Sequence, residues 1–176
     1  MWNTEFSRVY FSFFILSIAI TFSHTACSFI KSPPQGSGSG FVREEFLEYG
    51  AVVILPFQGD ETGEVSDAFA LTFHKRFPDM DIFGGKKILK ILGEYDPGSF
   101  QLDEKTRMKI GEKVGAQAIV VGSVYYPSIT RWLLQIKIID TKTGGVLGHA
   151  SAEINYMGAM GFEEGCDLAV RNLQPR

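Results

Sequence analysis

The chain has 176 residues, 45% of them hydrophobic and 13% aromatic, enough apolar material to close one core. Its net charge of -3 survives removal of the N-terminal segment, because Glu5 and Arg8 cancel, and this argues against a nucleic-acid binder, which carries a basic face. Two cysteines in unlike settings exclude a disulfide framework.

Arg8 precedes an uncharged run at 9–22, VYFSFFILSIAITF. A bilayer span needs about 20 apolar residues, so the run is short for a permanent membrane helix and has the length of an export signal's apolar region. It ends at His24-Thr25-Ala26-Cys27, followed by Ser28 and a Pro/Gly/Ser-rich segment at 32–40. A small residue before cysteine resembles a bacterial lipobox, in which the cysteine is lipidated and becomes the first residue of the mature chain. His24 departs from the aliphatic residue of that pattern. Ordinary cleavage after Ala26 would also want a small residue there, and an uncleaved anchor is the other alternative. The reading is a signal peptide over 1–26, lipidated Cys27 with a flexible tether over 27–49, and a folded domain over 50–176. Residues 41–48 are an amphipathic fragment, a short helix or an arm that adds to a partner or packs back on its own domain.

Gly50 opens an inner strand at 51–57, apolar throughout, with Pro56 at its exit because proline cannot donate to a ladder. A helix follows over 64–77, with Val65, Ala68, Phe69, Thr72 and Phe73 as its apolar stripe and His74 facing solvent. Asp60, Glu61, Glu64 and Asp67 gather at its positive end, a placement that the helix dipole favours without any cation. Residues 79–83 form a short edge strand. Gly84-Gly85 turns into a helix over 86–93, with Ile88, Leu89 and Leu92 inward. The GGKK here is no phosphate loop: Met80 stands where that motif needs glycine, and Lys87 where it needs a hydroxyl. Asp103 is placed to cap a helix that ends at Gly115, with Arg107, Ile110, Gly111 and Val114 on one side, Gly111 allowing close packing against the sheet.

Residues 115–144 are the centre. The run at 118–126 is nearly unbroken in apolar, β-branched and aromatic residues, which suits a strand buried on both faces. Pro127 and Ser128 break it. The next strand, 132–140, places Trp132, Leu134, Ile136 and Ile138 on one face and admits Gln135 and Lys137 on the other. Asp140 to Gly145 makes a turn whose acid bonds its own backbone, and a third strand spans 146–156. A last helix covers 158–173 with Phe162, Cys166, Ala169 and Leu173 on its stripe, so Cys166 reads as a small buried hydrophobe. The order gives an α/β domain, an α+β sandwich whose mixed sheet of four or five strands is covered by helices.

No catalytic constellation emerges. His24 lies in the signal, His74 on a polar helix face and His149 in a strand, and no Ser-His-acid set, metal-ligand pair or nucleotide loop is present as a motif. No cofactor is expected, and the weight moves to a binding or assembly module. Tyr125, Tyr126, Pro127 and Arg131 surround a strand connection, where aromatic and Arg side chains anchor partners; the alternative is that the tyrosines cover the sheet edge.

The segments VVILPF at 52–57, GAQAIVVGSV at 115–124 and DTKTGGVL at 140–147 together resemble a pattern shared by exported bacterial lipoproteins. These are the curli-secretion channel lipoproteins of CsgG type and the lipoprotein activators of penicillin-binding proteins, and the N-terminal domain of TolB is similar in fold. The resemblance implies a lipid-anchored periplasmic α/β domain that contacts a protein partner and is not an enzyme. Pore formation does not carry over, because the connection at 126–132 is too short for a spanning strand of about 9–11 residues. Two functions follow from the resemblance: an accessory regulator of an envelope enzyme such as a peptidoglycan synthase, or a homo-oligomeric ring in a secretion or curli-like surface assembly. Ser28 in place of an aspartate points to the outer membrane.

Overall fold

The computed structural model describes residues 36–84, 88, 103–155 and 161–176. The elements are β1 (Gly36–Val42), a 3-10 turn (Glu44–Glu48), β2 (Ala51–Ile54), α1 (Glu64–Arg76), β3 (Asp81–Phe83), α2 (Glu104–Val114), β4 (Ala118–Ser128), β5 (Arg131–Asp140), β6 (Val146–Asn155) and α3 (Phe162–Arg171). The strands form one sheet in the order β1-β6-β5-β4-β2-β3. From β1 to β4 the neighbours are antiparallel, and β2 joins both β4 and β3 in parallel, so the sheet is mixed.

The expected α/β class is what is found, with six strands because the chain enters the sheet earlier than the sequence indicates. Residues 36–42, assigned above to the tether, are β1, paired along their whole length with β6. The glycines that look like a linker have a packing reason. A Cβ on Gly38 would stand 2.3 Å from Nδ2 of Asn172 and 2.6 Å from the Ser151 carbonyl, so only glycine lets the end of α3 lie against this strand. Phe46 resolves the arm question. It is fully buried, and its ring lies 5.7–6.2 Å from those of Tyr49, Phe73 and Phe77.

Period-two alternation divides the apolar residues between the two faces. On one face Val52, Ile54, Val120, Trp132, Leu134, Ile136, Ile138, Ala150, Ala152 and Ile154 meet α1 and α3 in the larger core. On the other, Val53, Leu55, Ile119 and Val121 meet Ile88 and, from α2 and the segment after it, Ile110 and Ala116. Residues 118–121 are thus buried on both faces, as the unbroken run requires, and by Tyr125 the strand has left the core. The stripe of α1 holds, with Val65, Phe69, Thr72 and Phe73 buried and His74 exposed. β2 stops at Ile54, two residues before Pro56. β4 runs through Pro127 to Ser128, where the register slips between Tyr125 and Ser128; a bulge tolerates a residue that cannot donate. The helix read over 86–93 lies outside the described residues except for Ile88, which is buried.

Side-chain hydrogen bonds to first-turn N–H groups explain where α1 and α2 begin. Asp103 accepts from the Thr106 N–H at 2.9 Å, as its position predicts, and α2 ends on Gly115 at φ +69°. At α1 the Asp60 carboxylate accepts from both the N–H and the hydroxyl of Ser66, and the Ser66 oxygen accepts from the Phe57 N–H at 2.9 Å. The acids at the helix start therefore have a structural task in at least one member, fastening the exit of β2 to α1. In α2, a Cβ on Gly111 would meet Thr141 at 2.9 Å, so the close packing is against the turn after β5.

Candidate functional site

The β4–β5 hairpin carries the residues singled out from the sequence, and the structure separates them. The turn is at Ile129 and Thr130, and all of residues 125–131 are exposed. Tyr126 and Pro127 lie at the tip with Ile129, whose side chain is 98% exposed. Tyr125 and Arg131 belong to the sheet face opposite the larger core, because Val124 and Trp132 next to them point into that core. Arg131 there forms an ion pair with Glu153 on the neighbouring β6. Glu153 and Ile129 were missed from the sequence. Glu153 sits opposite Leu133 only through strand register, and Ile129 looked like one more apolar residue between two strands.

Beyond the part that α2 covers, this second face is built of cross-strand rows. Tyr125, Leu133, Glu153 and Ser37 form one row, Ser123, Gln135, Ser151 and Ser39 the next, and Val121, Lys137, His149 and Phe41 the third. Gln135 and Ser39 are exposed and Leu133, Ser151, Glu153 and His149 half-buried. Ser39 and Ser151 hydroxyls lie 3.2 Å apart. The result is a shallow surface rich in hydrogen-bonding groups.

At the other end of the sheet the acid of the β5–β6 turn is buried. Oδ1 of Asp140 accepts from the N–H of Lys142 (2.9 Å), the N–H of Thr143 (2.6 Å) and the Thr143 hydroxyl (2.9 Å); Oδ2 accepts from the Tyr49 hydroxyl at 2.6 Å. Burial by itself would raise the carboxyl, but the bonds from Thr143, Tyr49 and Lys142 outweigh it and hold Asp140 below the ordinary carboxylate value. The same bond, with burial and the negative charge of Asp140, pushes the Tyr49 phenol up to about 12. This is a structural clamp between the 3-10 turn and the hairpin. Beside it, Met108, Glu112, Ala116, Gln117, Thr141 and Lys142 line an open cleft of about 440 Å³. Cys166 is fully buried at 3.7 Å from the Val65 carbonyl, and burial, with Asp60 and Glu163 nearby, pushes its thiol up to about 12. Such a thiol is not a nucleophile near neutral pH. Among the described residues no three His, Cys, Asp or Glu side chains come together as a metal site.

No family model and no curated protein sequence matches the chain. Solved structures do. A subunit of the PelC dodecamer from Paraburkholderia phytofirmans superposes with a TM-score of 0.53 at 11% identity, covering 77% of this chain and 93% of that one. Lipoprotein GNA1162 from Neisseria meningitidis gives 0.53 at 14% identity, over 64% of this chain and 84% of its own. The C-terminal domain of LpoB from Salmonella enterica gives 0.47 at 11% identity, over 60% and 82%. The likeness is one of fold. Among the described residues no helix is long and apolar enough to cross a membrane.

Proposed function

We propose that the protein is a lipid-anchored accessory module of the bacterial envelope that acts by docking on a protein partner and not by catalysis. Cys27 is its lipidated residue, and the periplasmic side of the outer membrane is its place. The partner is an envelope enzyme of the peptidoglycan-synthase kind, which the module regulates. The observation that carries the reading is the part of the second sheet face over the outer end of β4 and over β5, β6 and β1, where Tyr125, Leu133 and the Arg131–Glu153 pair border rows of Ser and Gln. Aromatic and Arg groups around a flat, hydrogen-bonding surface suit a protein contact. Its mixed charge, on a chain of net -3, does not suit nucleic acid. The fold shared with a lipoprotein, GNA1162, is consistent with this reading.

A photo-crosslinking residue in place of Gln135 should trap one envelope protein in living cells, and the same residue in place of Leu71, exposed on α1, should not. Equal labelling from both positions would sink the docking face. The second reading is a ring subunit of a secretion or curli-like surface assembly, favoured by the dodecameric state of PelC. Sizing the lipid-free chain from Ser28 onward decides between them: a discrete high-order ring overturns the accessory reading, and a strict monomer at high concentration overturns the ring.

A further inference from the structure

Strand register places the beginning of β1 beside the β4–β5 tip. Gly36 pairs with Ile154, Ile154 with Trp132, and Arg131 with Ser128, so all of them lie at one end of the sheet. Two strand spacings separate Gly36 from Trp132, about 10 Å, and Ile129 lies up to about 10 Å further out along the strands. Cys27 stands nine residues before Gly36, and nine residues reach at most about 32 Å however they run. An acyl chain on Cys27 therefore holds Gly36 within about 32 Å of the acylated residue, and Gly36 is at the tip end of the sheet. The end at Val42 and the Asp140 turn lies about 20 Å further away along β1.

The tip has the chemistry of an interfacial contact. Ile129 is 98% exposed and Tyr126 46%, and no acidic residue occurs from Val124 to Leu134. Tyrosine suits the headgroup level because its ring is apolar and its hydroxyl stays wet. The turn already satisfies part of its own polarity: the Ser128 hydroxyl accepts from the Thr130 N–H at 3.3 Å and lies 3.2 Å from the Thr130 hydroxyl. The four residues 125–128 are too few to span a bilayer, for which about 9–11 are needed, but enough to enter its surface.

We infer that the β4–β5 tip is a second membrane contact, with Ile129 and Tyr126 seated in the headgroup region of the leaflet that holds the Cys27 anchor. This rests on the lipoprotein reading of Cys27. It assigns the tip to lipid and leaves the face behind it, with Tyr125 and Arg131, to the protein partner. The contact is apolar and insensitive to salt.

The test uses the acylated full-length protein in phosphatidylcholine vesicles, with an environment-sensitive fluorophore on Ile129→Cys. With the sulfur of Cys27 occupied by its acyl modification and Cys166 buried, the new thiol alone reacts. Val146→Cys, half-exposed at the far end of the sheet, is the reference. Emission at position 129 should rise several-fold on vesicles, be quenched by spin-labelled lipid and persist in high salt, with no change at 146. Ile129→Ser should speed transfer of the acylated protein between vesicles several-fold. A label at 129 that stays in water while the protein floats with the vesicles overturns the inference and spares the anchor. So does a label shielded only after an envelope protein is added. An intact mass with Cys27 unmodified overturns the lipoprotein reading and this contact together.

Discussion

Asp140 shows how much a single side chain can hold. Four hydrogen bonds to its carboxylate come from its own turn and from Tyr49, 91 residues earlier in the chain. Tyr49→Phe should cost about 2 kcal/mol in urea unfolding, because it removes one bond to a charged group and leaves a carboxylate oxygen short of a donor. The pH dependence has two limbs. Asp140 has a lowered folded pKa, so its contribution is present above the unfolded value of 3.8 and is lost as pH falls through the folded one. Tyr49 has a raised folded pKa, so its contribution is present below 10.0 and is lost as pH rises towards about 12. Tyr49→Phe should flatten the alkaline limb; an unchanged limb would show that the phenol is not held by Asp140. Cys166 gives a simpler check. Its raised pKa and full burial predict no reaction with a disulfide reagent at pH 8 until the protein is unfolded, and labelling of the native state at the rate of an exposed thiol would contradict that burial.

Among the elements, β1 is the one that sequence reasoning misplaced, and the error has a physical source. Gly36, Ser37, Gly38, Ser39 and Gly40 carry the composition of a flexible linker, and no apolar alternation marks them as a strand. The strand exists because β6 offers a free edge and α3 leaves room only for backbone. Gly38→Val should destabilise by about 1–3 kcal/mol through overpacking against Asn172 and Ser151. A chain beginning at Gly36 should unfold cooperatively, as measured by circular dichroism. One beginning at Gly50 should lose several kcal/mol and aggregate, because β6 becomes an open edge and Val42 and Phe46 leave the core. Equal stability of the two would show that β1 is dispensable. By contrast, α1, β5 and the Asp103 cap were legible, since each follows from local spacing: a 3.6-residue stripe, a two-residue alternation, and an acid three residues before the N–H it accepts from.

At the scale of the whole molecule the same division governs function. Composition and local pattern alone determined the α/β class, the three-strand centre and the buried Cys166. These depend on residues close together in the chain, where periodicity and capping act within a turn or two. Tertiary structure decided what depends on register between distant strands. It put Gly36 at the same end of the sheet as Ile129, set Arg131 against Glu153, brought Tyr49 to Asp140, and divided four neighbouring candidate residues between a tip and a face. A one-residue slip in pairing turns every side chain of a strand to the opposite face, and nothing local to a strand states which partner residue it will meet.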